Sequence, residues 1–463
     1  ENDNNINKLL YKKELLKSMM MKSLKNINYR LFLSLLVIGF VPSVYTTVRI
    51  YFMGDFPGES AYSIAGQLSW VSLIFEVISE TIILPLYFFI GQQKDNCGEL
   101  INRIRTGLLM TFGVYAFLAV TLSLTAEPLL NLMAADKDII SESAVYIRIE
   151  SFAMIFSTMV SFIFVVLVTI GKERYLYIFM GIRLVLSVAS DIFLVSSFTC
   201  SARLGVNGIG ISNILVNFVL FSAALLLLKR EGLSVFCRKR LSFNWVKDFI
   251  KIGGISGLES LVRNFFYMIM IIRMVNAVSE QGTYWMANNF IWGWLLLPVI
   301  QLGELIKRDC GSDRISVERN SPGYFILTAC ICASWVITIP LWRPFMENVL
   351  NYADSEKLFH LVILLLPFYM CYAVQNVFDC TFYGLGKTHY ILWQSVTTNV
   401  IYYGSAFVLY KMGVWSPTLE GIAILFGVGI AFDAAVSFLS YIILLKRTGL
   451  HIHMRKSKID SAR

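Results

Sequence analysis

Charge is scarce in this chain. Only 15% of its 463 residues are Asp, Glu, Lys or Arg, where a soluble protein carries about 25%. No long polar stretch remains that could fold as a separate soluble domain. Histidine is scarcer still, at His360, His389, His451 and His453, and none has an Asp four or five residues on. The clustered His/Asp or Asp-rich pairs that hold metal and phosphate in membrane-embedded transferases are therefore missing. Asp309 and Asp313 have a metal-like spacing but lie in a basic turn with no second cluster. The eight cysteines form neither a zinc spacing nor a disulfide framework. No Asn-x-Ser/Thr sequon occurs, which disfavours a glycosylated eukaryotic surface protein. An enzyme, a zinc domain and a disulfide-stapled module are set aside, and neither a metal site nor a cofactor is expected.

What the chain has is apolar length. Hydrophobic residues make up 56% of it and the mean hydropathy is +0.64. Runs of about 20 apolar residues, enough to cross a bilayer, fall near 31–53, 66–90, 104–124, 143–170, 175–198, 207–228, 247–276, 283–306, 323–342, 358–385, 389–410 and 420–445. The connections alternate in charge. Lys94, Lys172, Arg174, Arg230, Arg240, Lys307, Arg314 and Lys387 gather on one side with both basic tails, while Asp55, Glu59, Glu127, Asp136 and Asp138 mark the other. The positive-inside rule then puts both termini in the cytoplasm. The net charge of +9 is thus a topology signal, and no nucleic-acid partner is expected. Glu1–Lys25 is polar and precedes a full-length span, unlike a cleavable signal peptide. The expected address is a bacterial plasma membrane, with lipid as the solvent of an all-α protein.

The second half echoes the first. Gly171-Lys172 returns as Gly386-Lys387, Leu228-Lys229-Arg230-Glu231-Gly232 as Leu445-Lys446-Arg447-Thr448-Gly449, and Ile38-Gly39 as Ile252-Gly253, at offsets of 215, 217 and 214 residues. This predicts a cytoplasmic segment over 1–26, a six-helix bundle over 27–230, a basic linker over 231–242, a second bundle over 243–447 and a tail over 448–463. Two similar six-helix halves facing each other is a common way to build alternating access, so transport is the leading expectation.

The order of turn motifs resembles the MATE (multidrug and toxic compound extrusion) transporters of the MOP flippase superfamily over nearly the whole chain. Ile170-Gly171-Lys172, Asp191-Ile192-Phe193-Leu194-Val195, Leu204-Gly205-Val206-Asn207-Gly208 and Gly91-Gln92-Gln93-Lys94-Asp95 fall where that family has similar segments, and Tyr383-Gly384-Leu385-Gly386-Lys387-Thr388 repeats the first turn. The resemblance implies twelve helices in two pseudo-symmetric bundles and a central cavity. It also implies export of amphipathic small molecules in exchange for Na⁺ or H⁺, by a protein that usually works as a monomer. One charge crossing 100 mV releases about 2.3 kcal/mol, enough to bias a rocking motion. Gly384-Leu385-Gly386-Lys387-Thr388 mimics the end of a P-loop, but Thr381 stands where the required Gly would be, so no nucleotide site is read there. One departure concerns the first span, where many family members carry an Asp proposed to bind the cation. Arg49 occupies that position here, and a guanidinium neither coordinates Na⁺ nor releases its proton.

Ionisable groups inside spans cost about 2.5–3.5 kcal/mol each and need a partner or a task. Glu259, Asp379, Glu76 and Glu80 are the candidates for cation coupling, with Asp433 behind them. Glu259 has Arg263 one turn on. Glu76 and Glu80 share a helix face and either hold a proton between them or balance Arg49. Asp191 reads as structural, and Arg148, Glu150 and Arg273 as end residues that snorkel to water. Arg49, Arg183 and Arg263 are the candidate substrate-binding cations. If they line the cavity it suits an anion, and if they pair with the acids it is near neutral. Trp292 and Phe266, within the aromatic groups Trp285, Trp292, Trp294 and Phe265, Phe266, Tyr267, are candidates to stack on a flat substrate. Pro42 and Pro85 predict bends in spans one and two. The competing readings are a lipid or lipid-linked saccharide flippase of the same superfamily, which needs a large cationic cavity, and a transporter-derived receptor.

Overall fold

Every apolar run in the chain becomes a helix, because a backbone in lipid must satisfy its own hydrogen bonds. The computed structural model describes residues 20–56, 60–93, 96–172, 174–233, 235 and 240–449. The first half holds α1 (Tyr29–Gly54), α2 (Ser60–Gly91), α3 (Cys97–Leu132), α4 (Ile140–Thr169), α5 (Arg174–Leu194) and α6 (Gly205–Arg230). The second holds α7 (Val246–Ala277), α8 in two segments (Gln281–Leu295 and Leu297–Ser312), α9 (Ser316–Asn348), α10 (Ser355–Gly384), α11 (389–411) and α12 (Leu419–Thr448). Among the described residues ten of these are long and apolar enough to cross a membrane, and the bent α8 makes an eleventh. With α11 the count reaches twelve, so both ends of the described chain lie at one end of the bundle, here called the terminal end.

The echo seen in sequence is also structural. Gly171 and Gly386 both turn with positive φ, at 76° and 66°, just past α4 and α10. In each turn the following lysine amide reaches back to a helix carbonyl, Lys172 to Leu167 and Lys387 to Phe382, both at 2.8 Å. A left-handed residue here closes the last carbonyls of a helix, and glycine adopts it without steric cost. Gly232 and Gly449 do the same at 81° and 65° past α6 and α12. In the first half α4 packs against α2, α3 and α6; in the second, its counterpart α10 packs against α8, α9 and α12.

The halves meet through α1 against α8 and α2 against α7, a pseudo-twofold pair of contacts, and also through α2 against the first segment of α8. Each contact uses an echoed glycine. A Cβ on Gly39 would meet the side chain of Gln301 in α8, and one on Gly253 would overlap the backbone carbonyl of Thr81 in α2. At the far end of the bundle the halves are tied by polar contacts. Asn351 donates to Asp55 and to the Tyr51 carbonyl, both at 3.2 Å, Gln281 to the Gly66 carbonyl at 2.8 Å, and Asn276 to Gln67 at 3.2 Å. Segment 20–25 crosses to the second half instead. Ser23 donates to the Asn320 carbonyl and accepts from the Gly323 amide, and Ile27 is buried against α8 and α9.

Among the described residues three helices carry π-helical stretches, all in the second half: Met268–Ile272 in α7, Ile291–Leu295 in α8 and Thr398–Tyr403 in α11. The two segments of α8 bend by 52°. Pro298, at the start of the second segment, supplies the cause by removing a backbone donor.

Candidate functional site

A cavity of about 1020 Å³ lies between the halves and reaches from Leu350 to Lys307, Tyr383 and Ile391 near the terminal end. Its walls come from α1, α2, α7, α8, α10, α11 and α12. Six carboxylates line it (Glu76, Glu80, Glu259, Glu304, Asp379 and Asp433) against two cations, Arg263 and Lys307. Lys307 is taken up by Glu304 at 2.7 Å. The cavity is therefore formally acidic by four charges. Trp285, Trp292, Trp294, Tyr267, Tyr369, Tyr372 and Tyr403 supply its apolar walls, and π-broken turns of α8 and α11 bring Trp292, Trp294 and Tyr403 there.

The expected coupling carboxylates all line this one space, in two groups. In the first, Arg263 of α7 donates to Glu80 at 3.0 Å and Glu76 at 3.1 Å across the α2–α7 contact, with Glu259 at 3.5 Å on its own helix. Glu76 and Glu80 thus balance Arg263 and not Arg49, because α7 packs directly on the face of α2 that carries them. In the second group, Asp379 of α10 and Asp433 of α12 share two amides. Gln375 donates to Asp379 at 3.0 Å and to Asp433 at 2.5 Å; Gln394 donates to them at 3.3 and 2.9 Å. Thr398 adds a bond to Asp433 and Ser437 one to Asp379, both at 2.6 Å. Every donor here is neutral, and the Oε1 atoms of Gln375 and Gln394 are buried without a partner. Two carboxylates under neutral donors, beside two buried amide oxygens, carry negative charge that no cation among the described residues pairs with. Asp433, Gln375 and Gln394 were not placed together by the sequence reading, although Gln375 stands four residues before Asp379, on the same helix face.

The expected substrate-binding residues divide. Arg263 and Trp292 line the cavity; Arg49, Arg183 and Phe266 do not. Arg49 is held by Asp191 in a two-bond pair at 2.9 and 3.2 Å, buried inside the first half. It borders a side pocket of about 220 Å³ that shares Thr46, Ile50, Ser69 and Trp285 with the main cavity. Arg183 donates to Asn217 at 3.1 Å. Phe266 packs in the core of the second half near Tyr267 and edge-on to Phe265. Of the two alternatives left by the sequence, pairing with the acids is the one seen: one guanidinium reaches the space and three carboxylates surround it. Glu150 also departs from expectation. It is 2% exposed and accepts from Asn213 at 2.6 Å, so it does not snorkel. Arg148 keeps the expected exposed place, paired with Glu127 at 3.0 Å. His451 and His453 lie outside the described residues.

Residues 35–193 match the family model described as MatE. No curated protein matches the chain in sequence. Among solved structures, the chain is similar to an inward-facing multidrug resistance MATE family transporter of the MOP superfamily, with a TM-score of 0.76, 16% identity, and 90% of this chain and 98% of that one covered. A Vibrio cholerae MATE transporter gives 0.65 at 15% identity over 95% and 99%. A Pyrococcus furiosus MOP superfamily transporter, described by the reverse polarity of its binding pocket, gives 0.64 at 16% over 92% and 98%. At such identities the likeness establishes the fold, and the site must be argued from this chain's own residues.

Proposed function

From a MatE-domain membrane protein with the fold of the MATE transporters, we propose a secondary active antiporter that exports amphipathic organic cations in exchange for Na⁺ or H⁺. The observation that carries the reading is the polarity of the cavity: six carboxylates, two cations and a wall of Trp and Tyr. Aromatic faces attract flat cations, and carboxylates in a partly desolvated space hold their charge. The lipid-linked saccharide flippase reading needs a cationic cavity and gains no support from this one.

Alternating access supplies the mechanism. With the basic turns in the cytoplasm, the far-end contacts of Asn351, Gln281 and Asn276 close the outer side, and the cavity reaches the inner side. An outward-facing state requires those contacts to break and the α1–α8 and α2–α7 seams to pivot. The echoed glycines Gly39 and Gly253 let these seams slide closely. Asp379, with Asp433, is the coupling centre best suited to a small cation, and Glu259, Glu76 and Glu80 form the second carboxylate group. An ion entering from outside neutralises one group, weakens its hold on the cationic substrate and so favours release outward.

The test is gradient-driven transport in inverted vesicles or liposomes. A panel of cationic and anionic fluorescent compounds is offered under imposed Na⁺ or H⁺ gradients. The expected result is cation export that stops in Asp379→Asn and falls in Glu259→Gln. Export of anions, or transport indifferent to both gradients and both variants, would sink the reading.

A further inference from the structure

Arg263 has an unusual position among the charged groups of this chain. Its Nη2 serves Glu76 and Glu80 from α2 at 3.1 and 3.0 Å, and its Nη1 faces Glu259 at 3.5 Å. Three carboxylates surround one guanidinium, and no other described cation forms an ion pair with any of them. The group is also wet: the side chains of Arg263, Glu76 and Glu80 are 37, 45 and 28% exposed, and all four residues line the main cavity. The other two charge centres differ. Arg49–Asp191 is closed, at 12 and 1%. Asp379 and Asp433 have neutral donors and, among the described residues, no ion-pair partner. Lys307, the other cation of the cavity, pairs with Glu304 alone, so Arg263 is the described cavity cation that is both exposed and oversupplied with acceptors.

A solvent-exposed ion pair contributes little and exchanges readily. An organic cation that enters the cavity meets the same oxygens that Arg263 uses, and gains them only if the guanidinium yields. We infer that Arg263 is a tethered counter-cation: it occupies the substrate's head-group site while the cavity is empty and surrenders Glu76 and Glu80 to an incoming amphipathic cation. The inference rests on the acidic-cavity reading above and names the residue that sets its selectivity. A neutral or anionic amphiphile has no means to displace the guanidinium. A cation does, and by doing so it also removes two of the bonds that tie α7 to α2. Loading and the loosening of the seam between the halves then become one event.

Equilibrium binding to purified protein in lipid nanodiscs, with no gradient, tests this using tetraphenylphosphonium and its anionic counterpart tetraphenylborate. Arg263→Gln removes the competing positive charge and should tighten tetraphenylphosphonium by about tenfold, through the stronger long-range attraction of the freed carboxylates. Arg263→Lys keeps a cation and should stay within about threefold of the native protein. The double variant Glu76→Gln with Glu80→Gln should weaken tetraphenylphosphonium by about tenfold or more, and none should bind tetraphenylborate more tightly except that double variant. Should Arg263→Gln fail to fold, nitrogen NMR of the Arg263 guanidinium in the native protein decides: its resonances should shift with tetraphenylphosphonium and not with tetraphenylborate, and no shift at saturating tetraphenylphosphonium would overturn the inference. Native binding that neither Arg263→Gln nor the carboxylate variant alters would make Arg263 a plain structural bridge and leave the exporter reading standing. A native protein that binds no tetraphenylphosphonium would overturn both.

Discussion

Replacing Arg49 by Met should cost this protein about 3–5 kcal/mol, the usual penalty for stranding a buried charge. The size follows from what surrounds the guanidinium. Asp191 is 1% exposed and takes two bonds from Arg49, and Glu150 stands near enough to feel the same charge. Without Arg49, two buried carboxylates lose their common counter-charge. Asp191→Asn should be milder, because Arg49 keeps Glu150 as a nearby negative group. The double variant Arg49→Met with Asp191→Leu should recover most of the loss, since apolar side chains of similar volume replace a buried pair at little cost. Unfolding in mixed micelles, followed by circular dichroism, gives the three values and their coupling, expected at about 2–3 kcal/mol for groups in contact. Arg49→Met as stable as the native protein, or a double variant no better than the sum of the singles, would refute the argument. Transport supplies a second readout. If the double variant folds well but exports nothing, Arg49 acts on substrate through its side pocket, and its exclusion from the site is wrong.

Asp433→Asn should abolish ion-coupled export as fully as Asp379→Asn, because both acids share the amides of Gln375 and Gln394; gradient-driven uptake in liposomes reads this, and near-native coupling would assign the site to Asp379 alone. Gly253→Ala should destabilise by about 1–3 kcal/mol, since the added carbon overlaps a backbone carbonyl of α2, whereas Gly39→Ala meets the end of a mobile Gln301 side chain and should cost less; unfolding midpoints in micelles compare the two. Trp292→Ala should weaken a flat cation by about 1 kcal/mol, the value of a cation–π contact, and leave an equally sized neutral compound nearly unaffected. Glu231, in the turn after α6, is held below the ordinary carboxylate range by its bonds from Lys172 and Tyr175. Its contribution to the turn is complete above the ordinary range and is lost as pH falls through its lowered value, which carbon NMR of labelled glutamate would follow.

The helices were largely legible, because each needs only local information. The expected runs near 31–53, 247–276 and 389–410 became 29–54, 246–277 and 389–411. The duplicated glycines were equally legible, since a left-handed turn depends on one residue type. Ion pairing was legible only along a helix. Glu259 and Arg263 could be joined by their spacing, but the shorter bonds to Arg263 come from Glu76 and Glu80, 187 and 183 residues away. A spacing of 3.6 residues says which side chains share a face and nothing about which helix that face meets. Arg49 and Arg183 likewise take their partners, Asp191 and Asn217, from other helices, 142 and 34 residues away. The pairing of Asp379 with Asp433 was invisible because its other members are glutamines, which carry no charge to draw notice within an apolar span.

The two halves share one architecture yet divide the work unequally, and the division follows backbone geometry. Of the six cavity carboxylates, Glu259, Glu304, Asp379 and Asp433 come from the second half and only Glu76 and Glu80 from the first. All three π-helical stretches among the described residues also fall in the second half. A π turn inserts a residue, rotates the helix that follows and leaves a carbonyl without its usual partner. In α11 this stretch begins at Thr398, the residue that bonds Asp433. In α8 it carries Gly293, whose carbonyl accepts from Ser43 of α1. The irregular turns thus sit where the second half meets the acids or the other half, and they re-aim polar groups that a regular helix would turn elsewhere. In the first half Arg49 already neutralises Asp191, and α1, α2 and α4 carry no π stretch among the described residues. A duplicated fold has in this way become chemically one-sided: the first half supplies two of the six cavity carboxylates, and the second supplies the other four together with every π stretch among the described residues.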